Sequence, residues 1–373
     1  MSKVKILSIF GTRPEAIKMA PVVRALQDHE EIESSLCVTA QHREMLDQVL
    51  ELFSLKPDHD LNIMQPGQTL SEITARALRG LEDVIKAVQP HMILVHGDTT
   101  TTFTGALAAF YQQVKVGHVE AGLRSDNMYS PYPEEMNRVL TGRLTHLHFA
   151  PTEGNRRNLL AEGIKEDTIL VTGNTVIDAL LQVVKTDYIF EDDRLNQIDY
   201  AKRKVILLTA HRRENLGQPM INIFTAMKEI VEKNEDVEVI FPVHLNPKVQ
   251  ALAHEILGNM ERVHLIKPLE YEPFVNLMAK SYLILTDSGG IQEEAPALGK
   301  PVLVLRTETE RPEAVQAGTV KMAGIEKEAV FEMAHELIND PHAYAEMANA
   351  VNPYGDGKAS QRIVEAILEY FKK

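Results

Sequence analysis

The fold of this 373-residue chain is decided by the stretch SYLILTDSGGIQEEAP at residues 281–296. Ser281–Leu285 is short and apolar, which predicts a buried strand, and Gly290–Leu298 has the composition of a helix entered through a glycine turn. Adjacent glycines let a ligand approach the backbone, and the free N–H groups of a helix start attract phosphate. Glu294, about one helical turn further on, could reach a ribose diol of the same ligand. The simpler interpretation is a strand-to-helix turn with Ser288 as its N-cap.

The composition is that of a globular protein, with 44% hydrophobic and 25% charged residues. A chain of 373 residues favours two domains over a single core. No apolar run approaches the roughly 20 residues that span a bilayer, and Met1–Lys5 leads directly into a strand pattern instead of a signal peptide. We therefore expect a cytoplasmic protein that does not bind a membrane.

The net charge of −14 argues against a nucleic acid partner. It also means that an anionic substrate must be held by locally placed cations and helix ends. The single cysteine, Cys37, lies in a strand-like segment and is interpreted as a buried thiol. A disulfide or zinc framework is therefore excluded.

Strand and helix patterns alternate along both halves of the chain, which predicts two doubly wound parallel sheets. Acidic residues follow successive strands of the first half: Asp98 after Met92–His96, Glu120 after Val114–Val119, and Glu134 at a helix start beyond the next loop. Because ligands collect at the carboxyl ends of parallel strands, this cluster suits proton abstraction and return. Asp98 could equally be a helix N-cap, and an acid in a first helical turn is an ordinary complement of the helix dipole.

Two cations stand near the first predicted helix start, where the helix dipole gives no reason for them. Arg13 lies at the turn after the strand Val4–Phe10, and Lys18 lies one turn inside the helix. Their placement suggests an anion bound between them, with solvated surface charge as the alternative.

The polar, weakly periodic segment Tyr188–Asp199 is typical of a linker and separates the two halves. We predict an N-terminal Rossmann-like domain over residues 1–185, a C-terminal Rossmann-like domain over 186–356 and a last helix in 357–373. In the second domain Ser288–Gly290 and Arg311 should face one strand-end edge. Two such edges placed opposite each other would form a ligand cleft.

Seven motifs, in this order, resemble those of the non-hydrolysing bacterial UDP-N-acetylglucosamine 2-epimerases over nearly the whole chain. They are FGTRPEAIK at residues 10–18, HGDTT at 96–100, HVEAGLR at 118–124, YPEE at 132–135, TAHRREN at 209–215, DSGGIQEEAP at 287–296 and RPE at 311–313. The resemblance implies the glycosyltransferase-B architecture, with the last helix returning to the first domain. It also implies reversible conversion of UDP-GlcNAc to UDP-ManNAc, by elimination of UDP to a 2-acetamidoglucal and readdition, with no NAD or other cofactor and no required metal.

The resemblance assigns roles position by position. The catalytic candidates are Asp98, Glu120, Glu134 and His211. The nucleotide-binding candidates are Arg13, Lys18, Phe274 beside the uracil, Ser288, Gly289, Gly290, Glu294 and Arg311. Which carboxylate takes the proton in each direction stays open.

The family also implies a homodimer and a second UDP-GlcNAc that acts as an allosteric activator. Matching positions are Gln41, His42, Gln68, Arg212 and His244. Glu44 and Gly67 depart from the glutamine and arginine that some relatives carry there.

Three other functions fit parts of this pattern. A hydrolysing epimerase would release free ManNAc and UDP. A glycosyltransferase on the same fold would need an acceptor site, since fold does not fix function. A non-enzymatic UDP-sugar sensor would bind the ligand without turnover.

Overall fold

The computed structural model describes residues 3–40 and 43–372. The chain divides into two units. The first contains the residues up to Ala179 and those from Tyr354 onward, and the second contains Leu180–Pro353.

Helices and strands alternate along the described chain. The first part of the chain contains β1 (Val4–Phe10), α1 (Arg13–Gln27), β2 (Ile32–Val38), α2 (Arg43–Leu52), β3 (His59–Asp60), α3 (Leu70–Val88), β4 (Met92–His96), α4 (Thr100–Tyr111), β5 (Lys115–Val119), α5 (Glu134–Leu144), β6 (Leu147–Ala150), α6 (Glu153–Ala161), β7 (Ile169–Val171) and α7 (Thr175–Val183). The second contains α8 (Asp193–Asn196), β8 (Lys204–Thr209), α9 (Gln218–Lys233), β9 (Val237–Pro242), α10 (Pro247–Leu257), β10 (Val263–Ile266), α11 (Tyr271–Lys280), β11 (Leu283–Thr286), α12 (Gly289–Glu294), β12 (Val302–Val304), α13 (Pro312–Gln316), β13 (Val320–Met322), α14 (Lys327–Asn339) and α15 (Pro341–Ala348). The last helix is α16 (Ala359–Lys372), and 3₁₀ turns lie at Glu166–Thr168, Arg213–Asn215 and Ala295–Leu298.

Both sheets are parallel and doubly wound, so the predicted fold class of two Rossmann-like units is confirmed. The strand order is β3-β2-β1-β4-β5-β6-β7 in the first and β10-β9-β8-β11-β12-β13 in the second. In each sheet the order reverses at a central pair, β1 with β4 and β8 with β11. The crevice beyond the carboxyl ends of such a pair is where open α/β sheets bind ligands.

The central strands are almost continuous apolar runs because helices cover both of their faces. All five residues of β4 are buried, as are the last five of β1. Helix α3 carries Ala77, Leu81 and Val84 on one buried stripe against this sheet. The rigid sheet therefore fixes the strand ends that carry the polar residues.

The helix predicted over Gly290–Leu298 is α12 followed by a 3₁₀ turn. Pro296 has no N–H to continue the α-helical ladder, so the chain tightens into the turn Ala295–Leu298. Gly299 then ends the segment with φ of 65°.

The C-terminal helix α16 packs against α1. Its first turn is held by the buried carboxylate of Asp178, which accepts the backbone N–H of Ser360 at 2.8 Å and that of Ala359 at 3.2 Å. Such a carboxylate satisfies two of the N–H groups that a helix start leaves open.

Residues 188–199, predicted as a linker, belong to the second unit. Phe190 and Leu195 are buried there, and α8 forms within the segment. Of the helices described, none combines the length and apolarity needed to cross a membrane.

Candidate active site

The turn between β1 and α1 is built around the buried carboxylate of Glu15. It accepts the backbone N–H of Gly11 at 3.1 Å and of Thr12 at 2.8 Å, and the hydroxyl of Thr99 at 2.7 Å. Burial raises the pKa of Glu15, and the hydrogen bonds from Thr12 and Thr99 oppose that rise. A Cβ at Gly11 would lie 2.0 Å from the hydroxyl oxygen of Thr39, so only glycine fits. Glu15 thus joins the loop that carries Arg13 to the loop that carries Asp98.

Glu120 lies directly after β5 with its backbone in the left-handed region, φ 61°. Its Oε2 forms an ion pair with the Lys18 ammonium and accepts the side-chain amide of Asn174 at 3.0 Å. Lys18, predicted to hold an anion, therefore lies against the predicted catalytic carboxylate. A left-handed backbone is unfavourable for a non-glycine residue, so the surrounding fold holds Glu120 in this conformation at a cost in free energy.

His96, at the end of β4, is the third group beside this carboxylate, with Nε2 3.8 Å from Oε2 of Glu120. The ring is only 3% exposed, and neither nitrogen hydrogen-bonds to a described residue. Burial lowers the pKa of His96 to about 4. The imidazole is therefore neutral near pH 7.

Asp98 lies two residues beyond β4 and is held by Arg138 of α5, whose Nε is 2.9 Å from Oδ2. Burial, the largest effect, raises the pKa of Asp98; the Glu120 charge adds to the rise and Arg138 opposes it. A second carboxylate, Glu135, accepts another guanidinium N–H of Arg138 at 2.8 Å. The structure thus brings the predicted Asp98 and Glu120 together as interacting carboxylates, a pattern found at proton-transfer sites.

Glu134, the third predicted carboxylate, is the first residue of α5 and is half buried. It lies four residues before Arg138, so the two share one helix face. Glu134 is therefore on the element that contacts Asp98.

In the second unit the turn after β8 is organised by Asp287, which is fully buried at the end of β11. Its Oδ2 accepts the backbone N–H groups of His211 and Arg212, each at 2.8 Å, and the Asn215 amide at 3.1 Å. Its Oδ1 lies 3.0 Å from Nδ1 of His211. Burial opposes ionisation of Asp287, but hydrogen bonds from His211 and Arg212 outweigh it and lower the pKa. The predicted catalytic His211 is thus oriented by a carboxylate and keeps an exposed side.

Two guanidinium groups lie at the start of α12. A Cβ on Gly289 would be 3.9 Å from Cζ of Arg311 and 4.0 Å from an Nη of Arg212. The Arg311 side chain pairs with Glu293, which fixes its position. Two cations beside the backbone N–H groups of a helix start form an anion-binding arrangement. The predicted residues Ser288, Gly289, Gly290 and Arg311 therefore meet in one place.

Ser288 is the N-cap of α12, yet its hydroxyl makes no capping bond, contrary to the hydroxyl cap expected from its sequence position. Its backbone N–H instead donates to the Thr286 hydroxyl at 2.9 Å. Glu294 is buried and accepts the phenol of Tyr271 at 3.3 Å. Phe274 is half buried on α11, the helix that begins with Tyr271.

Some of the residues predicted for an activator site are described by the structure and others are not. Gln41 and His42 lie outside the described residues. In the second unit the ring of His244 stacks on that of His211, with centroids 5.7 Å apart. In the first unit Gln68 accepts the backbone N–H of Gln65 at 3.1 Å.

A sequence model of the family described as UDP-N-acetylglucosamine 2-epimerase matches residues 24–368. The chain belongs to this family. Among curated relatives, the UDP-N-acetylglucosamine 2-epimerase of Bacillus subtilis is 58% identical over 371 residues, covering 100% of this chain and 97% of the relative.

Solved structures of the epimerase family agree with the fold. The UDP-GlcNAc 2-epimerase of Neisseria meningitidis, bound to UDP-GlcNAc, is 55% identical with a TM-score of 0.85, covering 98% of this chain and 100% of that one. The Methanocaldococcus jannaschii enzyme, in complex with UDP-GlcNAc and UDP, is 38% identical with a TM-score of 0.75, covering 98% of this chain and 100% of that one.

Four residues close to predicted ones within their own units make contacts that were not predicted from the sequence. They are Glu15, Arg138, Asn174 and Asp287. Glu15 and Asp287 lie inside two of the quoted motifs, and Arg138 lies three residues after the motif at 132–135. The sequence signal that could have found Glu15 and Asp287 is a carboxylate beside the glycine turn that follows an apolar strand. A carboxylate at such a position becomes buried, and a buried charge needs partners. The sequence around Asn174 indicates only an N-cap residue before a helix, and gives no sign of its contact with Glu120.

Proposed function

We propose that this protein catalyses reversible C2 epimerisation of UDP-GlcNAc to UDP-ManNAc without net hydrolysis. The observation that carries the proposal is the pair of interacting carboxylates, Asp98 and Glu120, at the ends of neighbouring strands in a chain of the epimerase family. UDP-GlcNAc bound to the Neisseria meningitidis relative supports the choice of substrate.

The proposed reaction moves one proton and one leaving group. A carboxylate takes the proton from C2, the C1–O bond to UDP breaks, and the electron pair forms the C1–C2 double bond of 2-acetamidoglucal. In the second half a carboxylic acid returns a proton to the other face of C2 while UDP adds again at C1. Asp98, Glu120 and Glu134 are the candidates for these transfers. The raised pKa of Asp98 suits a group that must both accept and return a proton.

The second unit supplies what departure of UDP requires. Arg212 and Arg311 beside the start of α12 would stabilise the charge that develops on the pyrophosphate. His211, oriented by Asp287, would contact a phosphate or act in catalysis. In a chain with net charge −14, these local cations would give an anionic substrate its site.

The remaining roles in the proposal come from the family. Arg13 and Lys18, with Ser288–Gly290, Glu294 and Phe274, would bind the nucleotide sugar, without metal or redox cofactor. We further propose a cytoplasmic homodimer activated by a second UDP-GlcNAc, whose product supplies ManNAc for surface glycans.

The test is incubation of the purified protein with UDP-GlcNAc in deuterated water, followed by proton NMR of the sugar. UDP-ManNAc carrying deuterium at C2 is the expected product. Free ManNAc with UDP would instead identify the hydrolysing reaction. If neither UDP-GlcNAc nor UDP-ManNAc is turned over, the epimerase proposal is wrong, and transfer to an acceptor or simple binding would be tested next.

A further inference from the structure

Asn174 lies between β7 and α7 and uses both ends of its side-chain amide. It is 4% exposed. Its Oδ1 accepts the backbone N–H of Val176 at 3.1 Å, which caps α7. Its Nδ2 donates to Oε2 of Glu120 at 3.0 Å, although Glu120 follows a strand two places away in the sheet.

The backbone of Asn174 is held by the segment where the chain re-enters the first unit. Its N–H donates to the carbonyl of Tyr354 at 2.7 Å. A Cβ on the preceding Gly173 would lie 3.3 Å from that carbonyl and 3.3 Å from Cα of Gly355, so the two segments pack backbone to backbone. Asn174 therefore has little freedom to move, and its amide has a fixed position relative to Glu120.

We infer that Asn174 is a positioning residue whose amide fixes the carboxylate of Glu120 for proton transfer. This inference rests on the proposed function, because it assumes that Glu120 takes part in the chemistry. The ammonium of Lys18 contacts the same oxygen of Glu120, so a cation and an amide together set the orientation of the carboxylate.

The cap and the positioning role can be separated by chemistry. Aspartate caps a helix as well as asparagine does, since both supply a side-chain oxygen. Only asparagine can also donate a hydrogen bond to a carboxylate. Asn174→Asp therefore keeps the bond to Val176 and replaces the donor to Glu120 with a second carboxyl group.

The experiment compares kcat, KM and C2 deuterium incorporation for the wild type and Asn174→Asp between pH 5.5 and 8.5. Loss of a hydrogen bond to a charged group should lower kcat by about 10- to 100-fold with little change in KM. The deficit should shrink toward low pH, because protonation of the introduced carboxyl removes its repulsion of Glu120. Among the described residues, the titratable groups beside Glu120 include Lys18, His96 and Asp98. Those near Asn174 include Asp178 of α7 and Arg362 of α16, which donates to the carbonyl of Thr172 at 3.0 Å and pairs with Asp356.

A matched variant controls for the cap. Asn246 caps α10 with the same geometry, its Oδ1 accepting the backbone N–H of Lys248 at 3.0 Å. The melting temperature of Asn246→Asp should stay close to that of the wild type at every pH. That of Asn174→Asp should be lower at pH 8.5, where two buried carboxylates repel each other, and should approach the wild type toward pH 5.5. Asn174→Ser, which keeps a capping oxygen but adds no charge, should lower kcat without the pH-dependent part.

The outcomes test the inference about Asn174 separately from the proposed epimerase function. If the wild type turns over UDP-GlcNAc and Asn174→Asp matches it across the pH range, Asn174 is only a helix cap and the inference is wrong. A loss of kcat in Asn174→Ser that is matched by a lower melting temperature would also overturn it, since that pattern marks a structural role. If the wild type itself is inactive, the proposed function fails and the inference fails with it.

Discussion

His118 should make the first unit less stable as the pH falls into the mildly acidic range. His118→Gln should remove this contribution of His118 to the pH dependence of stability. The ring is 1% exposed, and its Nε2 lies 2.7 Å from the carbonyl oxygen of Gly97, to which it donates. Its other nitrogen has no hydrogen-bond partner among the described residues, so a second proton there would be buried without an acceptor. Burial accordingly lowers the pKa of His118 to about 3.

The sign and size of the effect follow from proton linkage. An unfolded histidine binds a proton below a pKa of about 6.5, whereas folded His118 stays neutral down to about 3, so stability falls as the pH drops between these values. From pH 6.5 to pH 5 the loss is about 1.5 pH units at about 1.4 kcal/mol each, or about 2 kcal/mol. Glutamine can still donate to Gly97 but binds no proton. The free energy of unfolding of the wild type, measured relative to that of His118→Gln, should therefore fall by about 2 kcal/mol from pH 7 to pH 5.

Hydrogen exchange followed by mass spectrometry measures this free-energy gap between variant and wild type for the first unit alone. Peptides covering β4 and β5 report its opening free energy, and comparison at one pH cancels the intrinsic exchange rates. His91→Gln, which changes an exposed ring in the same unit, is the matched control, and its gap to the wild type should stay constant. A gap for His118→Gln that also stays constant, within about 0.5 kcal/mol, would refute the argument that the buried ring stays neutral.

Three further predictions concern the proposed site. Asp98→Asn and Glu120→Gln should each lower kcat by on the order of 100-fold or more with circular dichroism unchanged; activity within a few-fold of the wild type would exclude that residue from proton transfer. Arg311→Ala should weaken UDP binding by about 1 to 3 kcal/mol in calorimetry, and an unchanged affinity would contradict its pyrophosphate role. Asp287→Asn should lower both the melting temperature and UDP affinity, because its acceptor oxygens orient His211; an unaltered protein would show that the turn after β8 is held by other contacts.

The strand ends could be predicted from the sequence because the signals there are local. Val4–Phe10 and Met92–His96 were predicted with the bounds that the structure gives them, since each is an apolar run closed by a glycine turn. The positions of Asp98 and Glu120 beyond successive strands of the chain followed from the alternation of strands and helices.

Strand neighbours and short edge strands could not be predicted in this way. The contact between Asn174 and Glu120 depends on the order β5-β6-β7, which no local pattern records. The two-residue β3 and the three-residue β13 are too short for a periodic signal. The five-residue α13 is likewise too short. Helix α14 was not predicted, although its Val330, Ala334 and Leu337 lie at helical spacing and could have indicated it.

The predicted residues of the two units differ in their electrostatic surroundings, and the difference fits the roles proposed for them. In the first unit the acidic pair carries unfavourable features: the left-handed backbone of Glu120, the buried ring of His96 with no hydrogen-bond partner among the described residues, and the raised pKa of Asp98. In the second unit the donors around Asp287 favour its ionised form, and Arg311 is held in an ion pair. Binding a pyrophosphate needs charges in fixed positions, and an ion pair that holds an arginine side chain in place provides this. Passing a proton in both directions needs a carboxyl group that can also hold the proton, and an environment that opposes ionisation favours that protonated form.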